Sequence, residues 1–166
     1  MNNLIPIIIL IILGQLRLAG QTLNTVDKVK LTIPCKLELV LNEDSQESYS
    51  CQTLTNDIPS SYSISINNFG STFQKFDEKG KRIFMESFLN EIKSKAEIES
   101  ENIKYKLFSN IIAIQYDDYL NIGGIVYQSR SLVFCYNYKS ITLNYVSTTA
   151  GYDSRFEKLI DSIVLF

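Results

Sequence analysis

The chain has 166 residues, of which 45% are hydrophobic and 20% are charged, and these are the values of a globular protein with one core. Its formal net charge of -2 provides no positive field that would attract nucleic acid, so nucleic acid is not an expected partner. Histidine is absent, which excludes a Ser-His or Cys-His nucleophile and removes the commonest metal ligand.

The first predicted element is an apolar run over residues 4–13. This run is shorter than the roughly 20 residues that a membrane-spanning helix needs, and it has the length of the hydrophobic region of a signal peptide. The small residues Ala19 and Gly20 follow it. The pattern therefore predicts cleavage after Gly20 or Gln21.

On this basis we predict a signal peptide over residues 1–21 and a single mature domain over residues 22–166. The protein is then exported, to the periplasm, the cell surface or the medium, and a cleaved signal leaves no segment for membrane insertion. A retained N-terminal anchor is the alternative, because the segment before the apolar run carries no Lys or Arg and Arg17 follows the run.

The mature chain begins with a predicted polar lead-in at residues 23–30. Residues 29–33 then alternate between apolar and polar side chains, which is the pattern of a β-strand with one buried face. This strand is predicted to end at Pro34, because proline has no backbone N–H for a strand ladder.

A second group of strands follows. Residues 36–41 are typical of a strand, residues 42–45 form a turn cluster, and residues 49–54 form the predicted partner strand. After a predicted loop at residues 55–60, residues 62–66 alternate as a strand with one face in water.

Two amphipathic helices are predicted, near residues 77–96 and 154–163. In the first, Asp77 is a candidate N-terminal cap, and apolar residues recur at helical intervals from Met85. In the second, Ser154 and a glutamate three residues later have the spacing of a capping box. The apolar stripes of both helices need a sheet against which to pack.

The sheet signal is strongest over residues 111–146, which predict a meander of three antiparallel strands with turns at residues 121–124 and near 139–140. Residues 132–135 are apolar on both faces, so both faces of the sheet are expected to be covered there. The predicted fold class is α+β, with an antiparallel sheet that contains this meander and is packed by the two helices.

The order of elements, with a C-terminal helix ending in FEKLIDSIVLF, resembles the PsbP-like α/β/α sandwich superfamily over residues 28–166. Many members of that superfamily end in a similar C-terminal helix. The residues of this chain that occupy comparable positions in it are Phe156, Ile160, Ser162 and Ile163. The chain departs from the superfamily in lacking the Trp often found near the opening proline, here Pro34. The resemblance implies a non-enzymatic binding or assembly role, with no catalytic residues to carry over.

Three cysteines offer two alternatives for an exported chain, which are one disulfide with a free thiol or three buried thiols. Cys35 and Cys51 flank a turn centred near Glu43, and a hairpin there would set them opposite one another, so this pairing is the favoured disulfide. Cys135 is predicted to be an inert core thiol, with a nucleophile as the alternative.

Asp117 and Asp118 are adjacent at the predicted end of a strand, so their side chains are expected on opposite faces. That arrangement suits neither a glycosidase carboxylate pair nor a calcium cage. We therefore predict no catalytic residue, no metal site and no cofactor, and an enzyme is not expected. A hydrolase of cell-wall or carbohydrate material that uses these carboxylates is an alternative.

Four tyrosines of the meander are a candidate binding face together with Asp117 and Asp118. They are Tyr127, Tyr136, Tyr138 and Tyr145. Cross-strand pairing of tyrosines, at about 0.2–1 kcal/mol a pair, is a sufficient structural reason for them, and exposed tyrosines would instead suit a protein interface. The leading hypothesis is an exported module that binds a protein partner or stabilises an envelope assembly. A small-molecule carrier, with an apolar pocket between helix and sheet, is a further alternative.

Overall fold

The structure is a computed structural model, and it describes residues 21–43, 45–55, 58–95, 103–108, 111–148 and 152–166. The predicted signal peptide lies outside these residues except for Gln21. The strands in the described part are β1 (Thr22–Val26), β2 (Val29–Ile33), β3 (Glu38–Glu43), β4 (Gln46–Thr55), β5 (Ile58–Asn68), β6 (Ile103–Phe108), β7 (Ile111–Ile122), β8 (Ile125–Tyr136), β9 (Lys139–Ser147) and β10 (Val164–Leu165). The helices there are α1 (Gly70–Gln74), α2 (Glu78–Lys95) and α3 (Tyr152–Asp161).

Two antiparallel sheets carry the described fold. The larger has seven strands in the order β3-β4-β5-β9-β8-β7-β6, and the smaller has three in the order β1-β2-β10. The large sheet consists of two meanders, β3-β4-β5 and β6-β7-β8-β9, which are joined by the pairing of β5 with β9. This architecture confirms the predicted α+β class with an antiparallel meander and two packed helices.

Both turns of the predicted meander have left-handed backbone conformations. Gly123 and Gly124 have φ of 60° and 82°, and Asn137 and Tyr138 have φ of 47° and 63°. Two-residue turns of this kind match the twist of a β-hairpin. The second turn therefore lies two residues before the predicted position, and Lys139 is already the first residue of β9.

The large sheet is covered on both faces. On one face, α3 and the small sheet enclose the main core, whose largest fully buried side chains include Tyr145, Phe134 and Phe156. On the other face, Leu89 of α2 packs against Ile114 and Val133. Since β8 is buried on both faces from Ser129 to Cys135, the prediction from its two-sided apolar pattern is confirmed.

The predicted polar lead-in is wrong, because residues 22–26 form β1 and pair with β2. The polar residue Asn24 is buried, and its side-chain amide forms hydrogen bonds with backbone groups of the segment that follows β2. Its Nδ2 donates to the carbonyl of Cys35 at 3.0 Å, and its Oδ1 accepts from the N–H of Leu37 at 2.8 Å. A buried amide that satisfies backbone groups interrupts the apolar pattern by which a strand is recognised.

The predicted loop at residues 55–60 is also wrong, because the β4–β5 pairing continues to Thr55 and Ile58. The serines of β5 imitate a loop composition. Ser61, Ser63 and Ser65 belong to the face of the strand opposite Tyr62 and Ile64, whereas Ser60 shares their buried face. That alternation agrees with the predicted strand at residues 62–66. The C-terminal tail likewise contains β10, which pairs with β2.

The helices begin close to their predicted positions. Oδ1 of Asp77 accepts the N–H of Gly80 at 2.7 Å, which caps α2 as the sequence predicts. The helix α3 begins two residues earlier than predicted, and the Ser162 hydroxyl after it accepts the N–H of Thr32 at 3.0 Å. Among the helices that the structure describes, none combines the length and the apolar character needed to cross a bilayer.

Candidate functional site

Asp117 and Asp118 have different environments on β7. Nε and Nη2 of Arg130 donate to the two carboxylate oxygens of Asp117, the second at 2.6 Å, across the β7–β8 pair. The Arg130 guanidinium, 7% exposed as a residue, also lies 5.7 Å from the ring centroid of Phe156. Asp118 is exposed, and its Oδ1 accepts the N–H of Tyr119 at 2.7 Å. Asp117 is therefore part of the packing beneath α3.

This geometry does not provide the chemistry of a paired-carboxylate site. Neighbouring residues of a strand point to opposite faces, so Asp117 and Asp118 cannot flank one bond of a substrate. Within the described ranges, no three His, Cys, Asp or Glu side chains are grouped closely enough to hold a metal ion.

The structure does not bring the four selected tyrosines onto one face, which corrects the picture of a single tyrosine surface. Tyr145 is fully buried and packs on Tyr62, with ring centroids 4.9 Å apart. Tyr136 is partly buried against the main core, whereas Tyr127 lies near the other end of β8. Burial, with a further contribution from Tyr145, raises the pKa of Tyr62 well above its ordinary value, so the Tyr62 phenol stays neutral at physiological pH.

Tyr138 belongs to an aromatic cluster that was not predicted from the sequence. Its ring lies 5.4 Å from that of Phe73, and Nζ of Lys81 lies 4.9 Å above it. The other rings of the cluster are Phe69, Phe76, Phe84 and Phe88. The sequence does contain a pattern that indicates this cluster. Phenylalanines recur at i, i+4 and i+7 from residue 69, which is a helical spacing. Tyr138 thus fixes α1 and α2 to the β8–β9 turn.

Tyr127 lies in a projecting hairpin. The pairing of β6 with β7 ends at Tyr116, and the pairing of β8 with β9 ends at Gln128. In the described part of the chain, residues 120–127 consequently pair only with each other. We call residues 119–127 the β7–β8 arm.

The β7–β8 arm exposes apolar side chains. Tyr119 is 65% exposed, Ile125 53% and Val126 56%. Register places Tyr119 and Val126 on one face, and Leu120, Tyr127 and Ile125 on the other. Of this group only Tyr127 was predicted as part of a binding face, because the pattern of one strand does not reveal where its neighbours end.

Cys35 and Cys51 are joined in a disulfide, with their Cα atoms 6.0 Å apart. Cys35 lies between β2 and β3, and Cys51 is within β4 beside Ser50, the partner of Glu38. The bridge therefore closes the base of the β3–β4 hairpin, and it also ties the end of β2 to the large sheet. Cys135 is a free, buried thiol, and burial raises its pKa to about 12. A thiol with that pKa is protonated at neutral pH and is a poor nucleophile.

No protein-family model matches the chain, and no curated protein sequence does either. Comparison with solved structures shows a PsbP-like fold, which confirms the fold expected from the resemblance. The solution structure of cyanobacterial PsbP (CyanoP) from Synechocystis sp. PCC 6803 has a TM-score of 0.54 and 13% identity, over 92% of this chain and 96% of that chain.

A crystal structure from Bacteroides thetaiotaomicron also has a TM-score of 0.54, at 7% identity and over 84% of this chain. The match spans 45% of that protein's length, so this chain corresponds to less than half of it. At such identities the likeness shows the fold alone, and function has to be argued from this chain's own surface.

Proposed function

We propose that this chain is an exported, non-catalytic domain that binds a protein partner through the β7–β8 arm. The observation that carries the proposal is the exposure of Tyr119, Ile125 and Val126 on a hairpin that extends past both neighbouring strands. A two-stranded ribbon is only marginally stable in water, and burial of its apolar side chains by a partner would stabilise it.

The composition of the β7–β8 arm supports a protein as the partner. Residues 117–129 contain no Lys or Arg, so this part of the chain has no attraction for an anionic membrane or for nucleic acid. Tyrosine is among the residues that most often anchor protein interfaces. Since both faces of the arm carry apolar side chains, a groove that encloses the hairpin suits it better than a flat surface.

The proposal predicts that a double substitution, Tyr119→Ser with Val126→Thr, abolishes partner recovery. Because both side chains are exposed, we expect the free energy of unfolding to change by no more than about 0.5 kcal/mol per site. The measurement is a quantitative pull-down from the envelope fraction of the source organism, with wild-type and variant domains at equal concentration. Size-exclusion chromatography with light scattering, done first, shows whether the partner is a second copy.

The matched control is Leu39→Ser with Val40→Thr on β3, at the other edge of the large sheet, where both side chains are also at least half exposed. This control removes a similar exposed apolar area and should leave partner recovery unchanged. Equal recovery by the arm variant and the wild type would contradict the proposed role of the arm.

Export is supported by the Cys35–Cys51 disulfide, since such bonds persist mainly in oxidising compartments. We expect the protein isolated from its source to begin at Gln21 or Thr22. After denaturation and alkylation without reductant it should carry one modified cysteine, and three after reduction. Intact-mass spectrometry reads the N-terminus and the thiol count together. Three modified cysteines without reductant would oppose export, and an uncleaved chain would contradict signal cleavage and favour the retained N-terminal anchor.

A further inference from the structure

A half-open cleft of about 240 Å³ lies between β2 and α3. It is lined by Gln21, Thr32, Ile33, Pro34, Tyr62, Arg155, Lys158 and Leu159. The cleft is well separated from the β7–β8 arm in sequence, and it is smaller than the roughly 300–1,000 Å³ of pockets for drug-sized ligands. Its occupant must therefore be a small molecule or the end of a larger one.

The cationic side of the cleft is held in place. Nη1 of Arg155 donates to Oγ of Ser60 at 3.2 Å and to the hydroxyl of Tyr145 at 3.4 Å. These bonds fix the guanidinium and engage one of its three nitrogens. Lys158 lies three residues later on α3, which is the spacing at which helical side chains are neighbours.

The two cations of the cleft have no acidic counterpart there. None of the eight lining residues is acidic, and no described carboxylate makes an ion pair with Arg155 or Lys158. Two positive side chains one turn apart repel each other, and an anion bound between them would relieve that repulsion. This concentration of positive charge occurs in a chain whose net charge is -2.

The opposite side of the cleft is apolar. Ile33 and Leu159 are almost fully buried core residues, and Pro34 lies beside them. The ring of Tyr62, 4% exposed, adds an aromatic surface. A ligand for this cleft therefore combines one anionic group with a small apolar body.

We propose that the cleft between β2 and α3 binds a small organic carboxylate. The planar guanidinium of Arg155 matches the two oxygens of a carboxylate, and Lys158 adds a second positive charge. The hydrocarbon part of the ligand packs on Ile33, Pro34 and Leu159 and is removed from water. This site would operate independently of partner binding by the arm.

The test uses the domain that begins at Gln21, which retains every lining residue, with benzoate as the probe and benzamide as its neutral match. Binding is followed by isothermal titration calorimetry and by methyl NMR shifts of Ile33 and Leu159. Benzoate is expected to bind and to shift these methyl groups, and benzamide is expected to do neither. Lys158→Gln should weaken benzoate binding about five-fold, the size of a solvent-exposed ion pair, and should not disturb folding because Lys158 is exposed.

The control variant is Lys75→Gln, which removes one exposed charge outside the cleft and should leave benzoate affinity unchanged. Equal binding of benzoate and benzamide would overturn the proposal, as would equal effects of the two lysine variants. Inorganic phosphate is the last probe of the experiment. If phosphate shifted the cleft signals while benzoate did not, the site would be one for inorganic anions, and the organic carboxylate would be excluded.

Discussion

Replacement of Phe156 by alanine is expected to lower the free energy of unfolding by about 4 kcal/mol. The Phe156 ring has no solvent exposure, and it lies in the main core where α3 covers the large sheet. Its removal loses the transfer free energy of the ring and leaves a cavity that rigid strands cannot fill. Urea denaturation followed by circular dichroism measures the change.

The control for this prediction is Phe76→Ala, which deletes the same ring from a residue that is 39% exposed at the edge of the aromatic cluster. We expect a loss of about 1 kcal/mol or less there, because much of the ring is already in water. Comparable losses for the two variants would show that α3 does not cover the core as described.

The substitution Asp117→Asn is expected to lower the free energy of unfolding by about 2 kcal/mol. It removes the charge from a carboxylate that accepts two hydrogen bonds from Arg130, whose side chain is 9% exposed. The other contacts of Arg130 remain, and the Asp117 side chain is itself 33% exposed, so the loss stays below that of a fully buried pair. Chemical denaturation at neutral pH provides the measurement.

Asp118→Asn is a matched control one residue away, with the same chemical change on the opposite face of β7. Its carboxylate is exposed, and its hydrogen bond is to the backbone of the next residue. We expect a change of less than about 0.5 kcal/mol. If the two variants lost equal stability, the stabilising role of the Asp117–Arg130 ion pair would be refuted.

The sequence predicted those parts of the fold in which each strand carries its own regular pattern. β9 alternates regularly from Ile141 to Tyr145, and β8 is apolar on both faces at residues 132–135, so the meander and its two covered faces followed directly. The start of α2 followed from Asp77, since capping is a local interaction. β1 and β10 were not predicted, because both are held by partners that are distant in sequence. β1 depends on the buried side chain of Asn24, and β10 is only two residues long, which is too short to show a pattern.

The candidate site was predictable only in part. Alternation assigned Asp117 and Asp118 to opposite faces, but it could not identify Arg130 as the partner, since that requires the register of β7 against β8. Similarly, Tyr145 and Tyr127 look equivalent in the sequence, yet one is in the core and the other on the β7–β8 arm. In the part of the chain that the structure describes, the arm exists because neighbouring strands end before it does, and the sequence of β7 does not contain that information.

The pairing of β5 with β9 also has a consequence for the order of folding. Within each meander of the large sheet, every strand pairs with its neighbour in sequence, so each meander can form through local contacts. The β5–β9 seam, by contrast, closes a loop that contains α1, α2 and most of the second meander. Because loop closure costs entropy before the contacts form, we expect the joining of the two meanders, with Ile64 against Leu143 at its centre, to be the slow step of folding.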